Sequence, residues 1–167
     1  MFFYVFAIAL NPLMWYANNI VNKANNSTKY IINLKGAKIM SERKFFICKH
    51  CKNLVEVVND SKVPMICCGE KMTELVANTV EASQEKHLPV VEVSGNEVSV
   101  TVGSVIHPME EAHFIQWVYL LTDKGVQRKA LKPGEVPSVK FSLLEGEKAL
   151  AAYEYCNLHG LWKTVIE

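Results

Sequence analysis

The sequence predicts a mainly β protein in two parts, a small unit stapled by cysteines and then a β-sandwich. Three observations carry that expectation. Four of the five cysteines, Cys48, Cys51, Cys67 and Cys68, crowd into 21 residues. Downstream, short apolar runs alternate with turn residues to the end of the chain. No segment keeps apolar residues at helical spacing long enough to make a long amphipathic helix. Half of the 167 residues are hydrophobic and 10% are aromatic, which supports a core and excludes wholesale disorder. A net charge of +1 argues against a nucleic-acid-binding protein, which would carry a basic excess. That figure averages two populations. Residues 1–39 hold Lys23, Lys29, Lys35 and Lys38 and no acid, so the other 128 residues carry 14 basic and 17 acidic groups.

In chain order, Met1 to Leu10 is apolar but about half the length that spans a bilayer, and Asn11-Pro12 interrupts it. It lacks the preceding Lys or Arg and the small-residue cleavage site of a signal peptide. Residues 1–39 are therefore expected to be an extension outside the working protein, with Met40 as its start. Lys35-Gly36-Ala37-Lys38-Ile39 can also be back-translated to contain a ribosome-binding sequence ahead of that Met. A membrane-targeting segment is the rival reading, and no membrane association is expected otherwise.

Residues 40–78 form the first unit. Lys44-Phe45-Phe46-Ile47 reads as a strand entering Cys48-Lys49-His50-Cys51, and Leu54 to Val58 as another. Asn59-Asp60-Ser61-Lys62 supplies a turn before Met65-Ile66-Cys67-Cys68-Gly69. So small a unit has too little apolar surface to fold alone and needs a metal or disulfide staple. Clustered C-x-x-C spacing without a secretory signal points to metal and to a reducing compartment, the cytoplasm. Residues 79–167 form the second unit. Val90 to Val93 and Val98 to Val102 flank the hairpin signature Ser94-Gly95-Asn96. His113 to Leu121 alternates, with Ile115, Trp117, Tyr119 and Leu121 on the face of His113. Val139 to Leu143, Ala149 to Tyr155 and Leu161 to Ile166 follow, some seven strands in all, the signature of a small β-sandwich.

Two constellations carry chemistry. Four thiolates in a C-x-x-C and a second pair can close a tetrahedron around zinc or iron, and the spacing does not separate the two metals. Cys67 and Cys68 are adjacent, so both cannot adopt the same knuckle and the tetrahedron should be distorted. His50, inside the first knuckle, is expected to face solvent. The second constellation is His87, His107, His113, Cys156 and His159, in three strand-edge or loop segments. A lone thiolate among several imidazoles suits iron or copper. Blue-copper sites use two His, and usually a Met after the Cys; here four His are available and the last Met is Met109. A catalytic zinc site would keep three ligands and a positioned base, for which Glu85 is the single candidate. Redox iron fits best.

Glu85-Lys86-His87-x-Pro89, His107-Pro108-Met109-Glu110-Glu111-x-His113 and Cys156-Asn157-x-His159-Gly160, joined to the four-cysteine cluster, resemble the desulfoferrodoxins, the two-iron class of superoxide reductase. The resemblance runs from about Ser41 to the end. It implies a small desulforedoxin-like, rubredoxin-like Fe(Cys)4 domain, then an immunoglobulin-like β-sandwich, as a homodimer. It implies that Cys48, Cys51, Cys67 and Cys68 hold the first iron. His87, His107, His113 and His159 would surround the second, with Cys156 as axial thiolate and the opposite position open. It further implies that Glu85 takes that position on oxidation and that Lys86 draws in the anionic substrate. The implied activity is one-electron reduction of superoxide to hydrogen peroxide without producing oxygen, with rubredoxin or a similar donor restoring the iron. A non-catalytic iron electron-transfer protein is the alternative, and a zinc-stapled adaptor a third reading.

Overall fold

The computed structural model describes residues 30–31, 40–41, 43–80 and 82–166. Tyr30–Ile31 (β1) and Met40–Ser41 (β2) pair antiparallel, in a unit separate from Lys44–Glu167. The expectations for Met1 to Leu10, and for the rest of residues 1–39 apart from β1, lie outside the described residues.

Lys44–Glu167 opens with two small sheets. Lys44–Ile47 (β3) sits between Leu54–Val57 (β4) and Thr73–Leu75 (β7), both antiparallel to it. Ile66–Cys67 (β5) and Glu70–Lys71 (β6) form a hairpin closed by Cys68-Gly69. Both turn residues have positive φ, +51° and +79°, the type I′ geometry that suits the twist of paired strands. This is how adjacent cysteines are accommodated: Cys68 occupies a left-handed position that a side chain rarely takes. Few residues here are buried, chiefly Phe45, Cys48 and Met72.

A single helical turn, Gln84–His87 (α1), leads into seven strands: Pro89–Ser94 (β8), Glu97–Val102 (β9), Ile115–Thr122 (β10), Val126–Ala130 (β11), Ser138–Ser142 (β12), Ala149–Cys156 (β13) and Gly160–Val165 (β14). They form two antiparallel sheets, ordered β11-β10-β13-β14 and β12-β9-β8. The sandwich expected from the sequence is present. The β8–β9 hairpin turns at Gly95-Asn96, with Gly95 at φ +58°. Between the sheets Val98, Val100 and Val102 of β9 and Val139 and Phe141 of β12 meet Ile115, Val118 and Leu120 of β10 and Ala152 and Cys156 of β13. Fully burying each such aliphatic side chain contributes roughly 1.5–3 kcal/mol.

One expectation is corrected. Ile115, Trp117, Tyr119 and Leu121 do not share a face, because a β-bulge shifts the β10–β13 register between Ile115 and Trp117. The extra residue flips the alternation. Ile115 thus joins Val118 and Leu120 in the core. Trp117 and Tyr119 turn to the other side of the sheet, opposite Tyr155 and Tyr153. That outer face is buried too, since Phe45 of β3 packs on it, with ring centroids 5.4 Å from Trp117, 5.6 Å from Tyr119 and 6.1 Å from Tyr153. Tyr119 Oη donates to Glu56 Oε1 of β4 at 2.6 Å.

Glu154 is paired directly with Val118 and shares its apolar face two residues from Cys156. It is fully buried, and neither carboxyl oxygen has a hydrogen-bond partner among the described residues. Desolvation pushes its pKa well up. Among the described residues, no helix is long and apolar enough to cross a membrane.

Candidate metal centres

The structure gathers the cysteines and histidines into two clusters, the two expected from the sequence. In each, the donor atoms all lie within 4.8 Å of one another. His50 belongs to neither and is exposed, as expected.

The first cluster is built from two turns. Cys48 directly follows β3, and its knuckle closes through Lys52 N donating to Cys48 O and Cys48 N donating to Asn53 O, both at 2.9 Å, with Lys52 at φ +63°. The N–H groups of Cys51 and then His50 point at the Cys48 sulfur and lower its pKa to about 6. The I′ turn brings Cys67 and Cys68 against it: Cys51 Sγ lies 3.6 Å from Cys67 Sγ, and Cys67 Sγ 4.0 Å from Cys68 Sγ. A tetrahedron with metal–sulfur bonds of about 2.3 Å has edges of about 3.8 Å, so these spacings already match one. Thiol contacts, with Cys51 and then Cys48, push Cys68 up to about 12 and raise Cys67 as well. Four thiolates this close repel one another unless a cation binds them, which is the condition iron satisfies.

The second cluster is placed by the sandwich. His87 ends α1, His107 and His113 lie in the loop between β9 and β10, and Cys156 and His159 flank the β13–β14 turn. Successive rings stand edge to face: His87–His107 at 4.7 Å, His107–His113 at 4.6 Å, His113–His159 at 4.8 Å and His159–His87 at 4.8 Å. His87 and His113 face each other across this ring at 6.4 Å and 28°. Four imidazoles therefore surround one point as a square, with Cys156 Sγ 3.7 Å from His159 Nδ1.

The hydrogen bonds set the tautomers. His87 Nδ1 lies 2.8 Å from Ser83 O, and His107 Nδ1 2.5 Å from Pro108 O. A carbonyl only accepts, so both Nδ1 atoms carry the proton and both Nε2 atoms present lone pairs. Those two Nε2 atoms are 3.1 Å apart, and His87 Nε2 is 3.0 Å from His159 Nδ1. His113 Nε2 is buried with no hydrogen-bond partner among the described residues. Facing lone pairs and an orphaned ring nitrogen form a binding site for a cation. Burial is the main cause lowering His87, His113 and His107, the last to about 4, so these ligands are neutral at physiological pH. Burial raises Cys156, opposed by the N–H groups of His159 and Leu158 aimed at its sulfur. A square of nitrogens plus a thiolate departs from the tetrahedron zinc prefers and suits iron.

Other residues brace this cluster. Asn157 Oδ1 accepts from Phe114 N at 2.9 Å and its Nδ2 donates to Ala112 O at 3.0 Å, tying the Cys156 turn to the His113 loop. Trp162 stacks on His87 at 4.9 Å, and its Nε1 donates to His159 O at 3.1 Å. Asn78, at φ +60°, is bound to Leu161 and Lys163 of β14 by three hydrogen bonds and anchors the connector ahead of α1. In sequence Asn157 stands inside a motif without a visible role, and nothing local marks Asn78 or Trp162. Their function comes from partners remote in sequence. Glu85 and Lys86 lie exposed on α1 beside His87, outside the donor cluster, with the Glu85 carboxylate accepting from Ser83 Oγ and held low chiefly by that bond.

Comparison with known proteins agrees with this geometry. A family model described as Desulfoferrodoxin matches residues 79–165. The desulfoferrodoxin of Syntrophotalea carbinolica is 45% identical over 126 residues, spanning 75% of this chain and 98% of that protein. A desulfoferrodoxin homolog of Archaeoglobus fulgidus is 44% identical over 117 residues, spanning 70% and 92%. The crystal structure of the superoxide reductase from Treponema pallidum superposes with a TM-score of 0.63 at 43% identity, covering 74% of this chain and 98% of that one. Two donor clusters at the spacing iron requires, on a sandwich shared with these relatives, make this chain a member of the desulfoferrodoxin family.

Proposed function

We propose that the chain is a superoxide reductase, converting superoxide to hydrogen peroxide at its second centre. The observation that carries this reading is the square of four imidazoles with one cysteine beside it, a donor set that would hold iron through five ligands and spare room for one small ligand more. When bound there, ferrous iron supplies the single electron that superoxide accepts. His87, His107, His113 and His159 would hold the iron through ring nitrogens, with Cys156 supplying the one anionic donor. With the two positive charges of ferrous iron set against one thiolate, the loaded site would carry a net +1 toward an anion. Lys86 adds to this attraction from the exposed surface beside His87. Two unit charges about 6 Å apart interact by about 0.7 kcal/mol in water and about 2.8 kcal/mol at an effective dielectric of 20. Glu85, its neighbour on α1, would supply a carboxylate ligand to the iron in its oxidised state.

Cys48, Cys51, Cys67 and Cys68 would hold the first iron, and rubredoxin or a similar small donor would return the reacting iron of the second centre to its ferrous state. The reading divides the chain into a ribbon domain, residues 40–78, and a catalytic sandwich, residues 79–167, acting in the cytoplasm as a homodimer. The test mixes the fully reduced protein with a superoxide pulse. Stoichiometric peroxide without oxygen evolution is expected, and Lys86→Ala should slow the bimolecular step about threefold to a hundredfold. Superoxide decaying only by its own disproportionation would leave a pure electron-transfer protein.

A further inference from the structure

The segment carrying Glu85 is fixed along its backbone and free at one side chain. A four-residue helix cannot hold itself, and α1 is held from outside. Glu85 O accepts from Val105 N at 2.9 Å and from Ser104 Oγ at 3.3 Å. Gly103 N donates to Leu88 O at 3.1 Å, and Gly103, at φ +78°, packs so closely that a Cβ there would lie 2.7 Å from Lys86 O and 2.8 Å from Glu85 O. Lys86 N and His87 Nδ1 both donate to Ser83 O. In this conformation the Glu85-Lys86 backbone is thus tied to the β9 turn and, through Ser83 O, to the His87 ligand. Any approach of the Glu85 carboxylate to the second centre has first to release the bonds its side chain makes here. That carboxylate is exposed, and the side chain it meets is Ser83, whose hydroxyl donates to Oε1.

We propose that Ser83 is a positioning residue that latches the Glu85 carboxylate on the outside of α1, so that occupation of the sixth position at the second centre requires breaking one O–H···O bond. The inference rests on the reading of Glu85 as the group that takes that position after oxidation. Glu85 then partitions between a latched rotamer, bonded to Ser83, and an engaged one. The latch keeps the position open to a small anion, and its strength sets how often the carboxylate closes it.

The experiment records the thiolate-to-iron absorption of the oxidised holoprotein for four proteins: the parent, Ser83→Ala, Ser83→Thr and Glu85→Ala. Glu85→Ala supplies the spectrum of the carboxylate-free centre, against which the engaged fraction of the others is read. Ser83→Ala should raise the engaged-to-latched ratio about three- to tenfold, the worth of one partly solvated hydrogen bond to a carboxylate. Ser83→Thr, which keeps the hydroxyl, should match the parent. A Ser83→Ala spectrum identical to the parent, with Glu85→Ala distinct from both, would overturn the latch and leave the role of Glu85 standing. A Ser83→Thr protein that behaves like Ser83→Ala would overturn it as well, by showing that the hydroxyl is not what matters. If Glu85→Ala itself matches the parent, the reading of Glu85 fails and the latch falls with it.

Discussion

The two centres begin from the same local device and end in opposite surroundings. At each, a four-residue turn, Cys48 to Cys51 or Cys156 to His159, aims two backbone N–H groups at the sulfur of its first cysteine. Around the first centre the elements are strands of two to four residues, and Cys51 and Cys68 remain exposed. Around the second, strands of six to eight residues end at the site, and His87, His107 and Cys156 are buried. The first centre has little apolar surface to hold its shape, so the metal is part of its fold. The second is a pocket already shaped by the sandwich core, into which a metal is received. The difference teaches that one turn chemistry can serve as a staple or as a reactive site, depending on what is packed behind it.

The sharpest way to break this contrast is to change one cysteine at a time. Cys156→Ser removes the anionic donor of the second centre. Superoxide reduction should fall at least about a hundredfold, with the absorption of the first centre preserved. Cys51→Ser should do the reverse, losing the first iron and keeping the reaction with superoxide. Metal analysis with rapid mixing on both variants decides it, and loss of both irons from either would show that the centres are not independent.

Proton release sharpens the contrast next. Cys67 and Cys68 are raised by neighbouring thiols, so loading the first centre near pH 7 must expel at least these two protons. At the second centre burial keeps His87, His107 and His113 unprotonated, and among the groups with a resolved shift the proton to be lost belongs to Cys156. Raising the pH therefore favours metal at both, by at least about a hundredfold per unit at the first and about tenfold at the second. Calorimetry of anaerobic Fe2+ loading in buffers of different ionisation enthalpy reads these proton counts, and equal counts would contradict the assignment. The smallest effect is expected from Asn157→Ala. It cuts the tie between the Cys156 turn and the His113 loop and should weaken iron at the second centre about tenfold while sparing the first. A chelator titration that moved the first centre equally would show a general loss of stability instead.

What could be read in the sequence was whatever depends on residues close in the chain. The cysteine and histidine spacings, the Gly95-Asn96 hairpin and six of the seven sandwich strands are of this kind. Val126–Ala130, with a single large apolar residue, gives no alternation to read, and its place on the sheet edge comes from pairing with β10. The bulge after Ile115 was hidden because an alternating run looks the same whether or not one of its own residues is left unpaired. The burial of Trp117 and Tyr119 on the outer face depends on Phe45, more than seventy positions earlier. The bracing by Asn78 and Asn157 likewise needs partners that only the fold supplies.

The seating of Phe45 on the outer face of the sandwich has a consequence for how the molecule opens. β3 is clamped by that ring and by the Tyr119–Glu56 bond on neighbouring β4, whereas the β5–β6 hairpin is exposed on nearly every residue. Backbone amides of β3 should therefore exchange with solvent deuterium on the slow clock of the sandwich, and those of β5 and β6 on the faster clock of sulfur–metal dissociation. The boundary between cooperative opening units would then run through the four-cysteine ribbon itself. Cys48 would be left with the sandwich, and Cys67 and Cys68 would be free to lift away as a flap.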